Sequence, residues 1–220
     1  MPKATFFNLP EEKIRRIHNA AVQEFATRRF SEASLNHIMK SAGIPWGSFY
    51  QYFEGKEDLF LFIFDQITMD KRTVFGRTQN MALDHPLQNQ PVADVFEAIL
   101  HTAMATFDWS RASPEYSRIS MLMETDDSDF IKELRLKTTA DLRGIMENEK
   151  KIGLINPVID SDLVVDMIFT LIWKQFTLHG HDKETYSQKL HDGMKIIKTG
   201  ICADEPNEHP GAGRCLMKDG

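Results

Sequence analysis

Ser34-Leu-Asn-His-Ile-Met-Lys-Ser-Ala-Gly43-Ile-Pro-Trp46-Gly-Ser-Phe-Tyr-Gln-Tyr-Phe53 carries more information than any other stretch of this chain. Ser34 suits an N-cap, because its hydroxyl can accept one of the backbone N–H groups left free at a helix start. The helix it opens is expected to end near Ala42, with Gly43 supplying the turn. Ile44-Pro45 opens the next short helix, to about Phe53, since proline fits a first helical turn. Two short helices joined by a tight Gly-containing turn are the layout of a helix-turn-helix, whose second helix lies in the major groove of DNA.

Working outward, Pro10-Glu11-Glu12 marks an earlier helix start, with carboxylates placed to complement the helix dipole. Ile14, Ile17, Ala21 and Phe25 then recur at helical spacing to about residue 28. After Gly55, Lys56 begins a long helix to about residue 76 with Leu59, Phe60, Ile63, Phe64 and Ile67 on one broad face. Asn80 to Pro91 reads as a loop. Further helices are expected over Val92–Phe107, from Ser113-Pro114-Glu115, over Phe130–Glu149, from a cap at Asp160 or Ser161 to about Leu178, and over Lys183–Lys198. The acidic stretch Glu124 to Asp129 reads as a solvated turn. No segment alternates as a strand does, so the expected fold is all-α, about nine helices: an N-terminal three-helix DNA-binding domain over 1–55, a helical bundle over 56–203, and a flexible tail over 204–220.

Composition narrows the function classes. The 220 residues are 42% hydrophobic and 26% charged, ordinary for a globular protein with a real core. The longest apolar run, Leu59 to Phe64, falls far short of the ~18 residues of a membrane span. No secretory h-region is visible at the N-terminus, and Cys202 and Cys215 read as free thiols, so a cytoplasmic address is expected. The net charge of −6 is unevenly spread: residues 1–56 hold eight Lys/Arg against five Asp/Glu (+3), and the remainder 18 against 27 (−9). A mildly basic head on an acidic body can still bind DNA, because phosphate attraction is screened beyond ~10 Å.

The head resembles the tetracycline-repressor (TetR) family of bacterial regulators. The resemblance rests on Ile17-x-x-Ala20-Ala21, Phe25-Ala26, Phe30, Ser34, Ile38, Ala42-Gly43, Gly47 through Phe53, and Lys56-Glu57-x-Leu59, about a quarter of the chain. The residue chemistry agrees. Phe49 and Phe53, four apart, share a face and can pack as core. Trp46, Ser48, Tyr50 and Gln51 are left to face elsewhere. Gln51 can pair with adenine edges and Ser48 with several bases. Tyr50 and Tyr52 can bond phosphates, as can Lys56 at a helix N-terminus. The resemblance implies backbone contacts for Tyr50, Tyr52 and Lys56, and Ser34 joins this DNA-binding set. Plainer readings stand beside these: one tyrosine as core, Gln51 merely solvated, Trp46 packed locally. Arg29 stands where the family often has Gly, Met39 where it often has Ala, and Pro45-Trp46 where it has a commoner small polar residue followed by a variable one.

In the body, Leu163, Val164, Val165, Met167, Ile168, Phe169, Leu171, Ile172, Trp173 and Phe176 surround one helix almost completely, whereas packing on one core needs a stripe ~100° wide. A second buried face is expected there. The resemblance implies a homodimer through about 160–178 and 183–200, the alternative being a central helix of a monomer. It also implies a small-molecule effector, for which Phe107, Trp109, Met121, Met123, Phe130, Phe169 and Trp173 are candidate lining residues; at helical spacing the same residues suit plain core. His179-Gly-His181-Asp182 lacks the further ligands of a metal site. Neither a phosphate loop nor a nucleophile elbow occurs. The expectation is a DNA-binding regulator, most simply a ligand-relieved homodimeric repressor on a pseudo-palindromic operator, with no enzymatic activity, cofactor or metal. The rival is an all-helical ligand-binding or interaction protein whose head no longer reads DNA.

Overall fold

In a computed structural model the described residues are 2–75 and 95–201. They form ten helices and, among them, no strand. These are α1 (Ala4–Phe7), α2 (Glu11–Thr27), α3 (Leu35–Ala42), α4 (Trp46–Tyr52), α5 (Lys56–Phe75), α6 (Val95–Ala112), α7 (Pro114–Glu124), α8 (Asp129–Lys151), α9 (Ser161–His179) and α10 (Lys183–Ile201). The all-α expectation holds, and α1 is the addition to the nine helices read from sequence. The Asn80–Pro91 loop, the 204–220 tail and both cysteines lie outside the described residues.

Local chemistry accounts for the head. Glu11 and Glu12 occupy the first turn of α2, which ends on an extended Arg28 (φ −136, ψ 146). Ser34 caps α3 by accepting from the His37 N–H at 3.4 Å. Gly43 then turns left-handed (φ 64, ψ 37). Its N–H bonds to the Lys40 carbonyl (3.2 Å) while that of Ile44 bonds to Met39 (3.0 Å), the paired closure of a Schellman motif. An L side chain in that conformation is strained, and a Cβ at Gly43 would also meet the Arg16 guanidinium at 3.3 Å. Pro45 begins α4, and the extended Phe53 ends it.

The described residues fall into two compact units. The first takes those up to Phe75 with Asp108–Arg135. Its core joins Ile17, Phe25, Ile38, Phe49, Phe53, Leu59 and Ile63, all fully buried or nearly so, with Trp109, Ile119 and Ile131. Burying each aliphatic or phenyl side chain contributes about 1.5–3 kcal/mol. The second takes Val95–Phe107 and the described residues from Leu136 onward. Val164, Val165 and Ile168 of α9 pack there with Met194, Ile197 and Ile201 of α10 and Met146 of α8. Gly193 lets the last two helices approach closely: a Cβ there would lie 2.6 Å from Leu171 Cδ2.

Candidate nucleic-acid interface

Helix α4 divides sharply into an inner and an outer face. Phe49 and Phe53 are fully buried and stack at 5.5 Å. Tyr52, three residues beyond Phe49, joins them: only 6% exposed, its hydroxyl accepts from Lys13 Nζ at 3.1 Å. The outward side carries Trp46, Tyr50 and Gln51, all exposed, with Ser48 half-buried. The two tyrosines of the sequence reading therefore differ in setting, Tyr50 lying 50% exposed and Tyr52 beneath it. Trp46 is both packed and open: its ring lies parallel to Phe49 at 6.0 Å and edge-on to Tyr50 at 5.8 Å, yet 43% of the residue is exposed.

Three carbonyls at the end of α4 receive donors from the N-terminal segment. Lys3 N–H bonds to Tyr52 O at 2.8 Å, Lys3 Nζ to Tyr50 O at 3.0 Å, and the Thr5 hydroxyl to Gln51 O. A helix end leaves such carbonyls unsatisfied, and Lys3, the residue before α1, and Thr5 within it supply the missing partners. Phe6, fully buried, fixes the brace against Phe53 (4.9 Å) and Phe62 (5.2 Å). Sequence reading missed these residues.

Lys56 and Ser34 are engaged within the head. Lys56 Nζ donates to the Phe30 (2.7 Å) and Ala33 (3.1 Å) carbonyls, more distantly to Ser31 (3.5 Å), and lies 4.6 Å over the Phe30 ring. The Ser34 hydroxyl serves the α3 cap, and the Ser34 N–H bonds to Glu24 at 2.9 Å. Asp126 holds the same α2–α3 loop: fully buried, it accepts the Ser31 N–H at 2.7 Å and both N–H and hydroxyl of Ser128 at 2.9 and 2.5 Å. Burial works to raise the pKa of its carboxyl, but the bonds from Ser128 and Ser31 outweigh it and leave it below the ordinary value. The supposedly solvated acidic turn thus contains a buried clamp, because its carboxylate finds N–H and O–H partners that replace water. Arg29, where the family often has Gly, pairs with Glu32 at 2.6 Å and donates to Thr125 O at 3.3 Å.

Of the candidate effector residues, Trp109, Met121, Met123 and Phe130 belong to the first unit, and Phe107, Phe169 and Trp173 to the second. Phe130 packs on Phe30 at 4.6 Å, and Phe107 on Tyr186 at 4.9 Å, both as core. Met123 is buried and Met121 half-buried. Phe169 is exposed, and Trp173 keeps its indole N–H buried with no partner among the described residues. Asp182 of the histidine-containing turn caps α10, accepting from Glu184 and Thr185. Among the described residues no group of three potential metal ligands occurs, and no helix is long and apolar enough to cross a membrane.

A capped helix, a left-handed glycine turn and a second helix with a polar outer face over a phenylalanine base define a helix-turn-helix DNA-binding protein. Residues 17–63 match the model of the bacterial regulatory proteins of the tetR family. A HTH-type transcriptional regulator of Bacillus subtilis, YdgC, itself uncharacterized, is 26% identical over 161 residues, 73% of this chain and 77% of that protein. The fold is also that of a TetR family regulator from Chloroflexus aurantiacus, with a TM-score of 0.64 and 22% identity over 92% of this chain and 99% of the other. FadR from Bacillus subtilis, solved in complex with stearoyl-CoA, aligns with a TM-score of 0.54 and 20% identity over 85% of this chain and 98% of its own. The DNA-binding head is that of the TetR family of transcriptional regulators.

Proposed function

We propose that the chain is a homodimeric repressor whose two heads, within residues 1–55, read a pseudo-palindromic operator and release it when a small molecule binds the body, 56–203. The outward face of α4 carries this reading. Gln51 and Ser48 address base edges, Tyr50 bonds a phosphate, and Trp46 offers an apolar edge to a sugar or thymine methyl. Tyr52, Ser34 and Lys56 act from beneath, by setting where α3 and α4 lie.

The dimer is supported by α9. Leu163, Met167 and Leu178 share one side of that helix and stay 58%, 47% and 49% exposed, a stripe of apolar surface that a second copy would cover. Two-fold symmetry would then present two α4 helices to successive major grooves, ~34–36 Å apart. An effector is supported by buried polar groups without partners among the described residues, Ser120 Oγ in the first unit and Trp173 Nε1 in the second.

The test is a titration of the protein against DNA flanking its own gene, at several salt concentrations. Sequence-dependent affinity falling with log salt, at about −0.9 per phosphate neutralised, is expected. Equal affinity for scrambled DNA, from this locus and from a genome-wide fragment selection, would refute the reading.

A further inference from the structure

One polar row in the first unit has no part in the DNA-binding head. Asp70 and Lys71 are neighbours on α5. The Asp70 carboxylate accepts from Trp109 Nε1 at 2.8 Å and from the Ser113 hydroxyl at 2.5 Å. Lys71 Nζ lies 4.5 Å from the centre of the Trp109 ring. Opposite them, Tyr116, Ser120 and Glu124 recur every fourth residue of α7 and so share a face. Charge ties the row together: Asp70 acts on Tyr116, and Glu124 on Lys71.

Two groups in this row are unsatisfied. The Ser120 hydroxyl is buried with no partner among the described residues. The Lys71 ammonium has the indole face, but among the described residues it has neither a hydrogen-bond acceptor nor a carboxylate in ion-pair contact. Burial pushes this ammonium down to about 8, with Glu124 pulling the other way. Burial likewise pushes the Glu124 carboxyl up, against Arg135 and Lys71. Lys71 still keeps accessible surface. An ammonium so desolvated calls for an acceptor that the described residues do not provide.

We propose that this row is the polar end of the effector site and takes a carboxylate-bearing organic molecule, with Lys71 as its counter-ion and Trp109 as an adjoining wall. The inference rests on the ligand-responsive reading above. Ser120, one turn before Glu124 on the same face of α7, has a hydroxyl without a partner among the described residues and is a second donor for the ligand carboxylate. A cationic ligand fits poorly: Lys71 already occupies the indole face, and Asp70 already has two donors.

The experiment follows the side-chain signals of the full-length protein labelled with ¹³C-lysine, the Lys71 signal being assigned by its loss in Lys71→Met or, should that variant not fold, Lys71→Arg. Octanoate and phenylacetate are added at millimolar concentration, with octanamide and phenylacetamide as neutral counterparts. The expected result is a shift of the Lys71 signal with at least one acid and neither amide, and a rise of its titration midpoint from about 8 toward the ordinary lysine range. No shift with either acid, or equal shifts with the amides, overturns the proposal. Binding of the same samples to flanking DNA separates the two readings. Specific DNA binding with an unmoved Lys71 sinks this inference alone. A Lys71 response without specific DNA binding sinks the regulator and leaves the carboxylate site standing.

Discussion

Lys56→Met separates two roles that the head could assign to this cation. The ammonium donates to Phe30 O at 2.7 Å and Ala33 O at 3.1 Å, and both residues are buried. Hydrogen bonds to charged groups contribute about 1.5–3 kcal/mol each. The contact to Ser31 at 3.5 Å is too long to add much, whereas placement over the Phe30 ring adds about 0.5–1 kcal/mol. Partial desolvation of the ammonium offsets part of this. Methionine keeps the apolar stem, so the variant should lose about 2–4 kcal/mol of unfolding free energy. For a chain of this size that lowers Tm by roughly 5–15 °C. Urea unfolding followed by circular dichroism measures the loss, and DNA affinity across a salt series measures the charge contacts. The geometry predicts a lower urea midpoint and a salt slope changed little. A variant as stable as the parent, with its salt slope reduced by about 0.9, would show that Lys56 leaves the loop for a phosphate. The clamp would then be refuted.

Three further outcomes can be checked. Tyr50→Phe removes one phosphate bond and should weaken binding to all sequences by about fivefold, a loss of about 1 kcal/mol, whereas Gln51→Ala should relax discrimination at one base pair by about 1–3 kcal/mol; competition titrations against singly substituted operators distinguish the two. Asp126→Asn should cost about 1–3 kcal/mol at neutral pH, because one of two satisfied oxygens becomes an amide donor facing another donor. The folded pKa of Asp126 lies below its unfolded value, so its stabilising share is present above about pH 4 and fades as pH falls through the folded pKa; thermal melts of variant and parent should converge in acid, and a constant gap would show that the charge is irrelevant. Met167→Asp, on the exposed α9 stripe, should convert a dimer to a monomer in sedimentation equilibrium and weaken operator binding while leaving the helical content intact.

The head was legible where its signals are local. Ser34, Gly43 and Pro45 each act within a few residues, and the structure uses them as a cap, a left-handed turn and a helix start. The buried position of Tyr52 was also within reach, since it lies three residues from Phe49 and thus on the same side of α4. Helix α1 was not. It has four residues and no side-chain cap, and it is held by Phe6 and by bonds to α4 carbonyls 46 and 47 positions away. Lys56 was recognised as a functional cation, but its carbonyl partners sit 23 to 26 residues upstream and no periodicity points to them. Asp126 was hidden in an acidic run, and only its partner Ser128, two residues on, offered a local hint. In the body, amphipathic patterning located the helices, while Lys71, Trp109 and Glu124 come from three helices that only folding brings together.

The α2–α3 loop is gripped by opposite charges from two elements. Lys56, at the start of α5, holds its carbonyls, and Asp126, two residues beyond the end of α7, holds the Ser31 N–H. Those two helices also carry the proposed effector groups, Lys71 fifteen residues along α5, ~22 Å from Lys56 by helical rise, and Glu124 at the last position of α7. A carboxylate that draws Lys71 toward itself against this face of α7 would therefore bear on both helices that hold the loop from which α3 begins. Such coupling exists only if the ligand binds the DNA-competent and released states with different affinity, and a typical coupling of about 1–3 kcal/mol would weaken operator binding by roughly 5–150-fold. Loosening one grip should disconnect the two events. Asp126→Asn should still show the Lys71 signal shift with the acid that moves it in the parent protein, yet lose most of the ligand-induced drop in operator affinity. If that drop persists undiminished in the variant, the signal reaches α4 by another route and the loop is only a structural fastening.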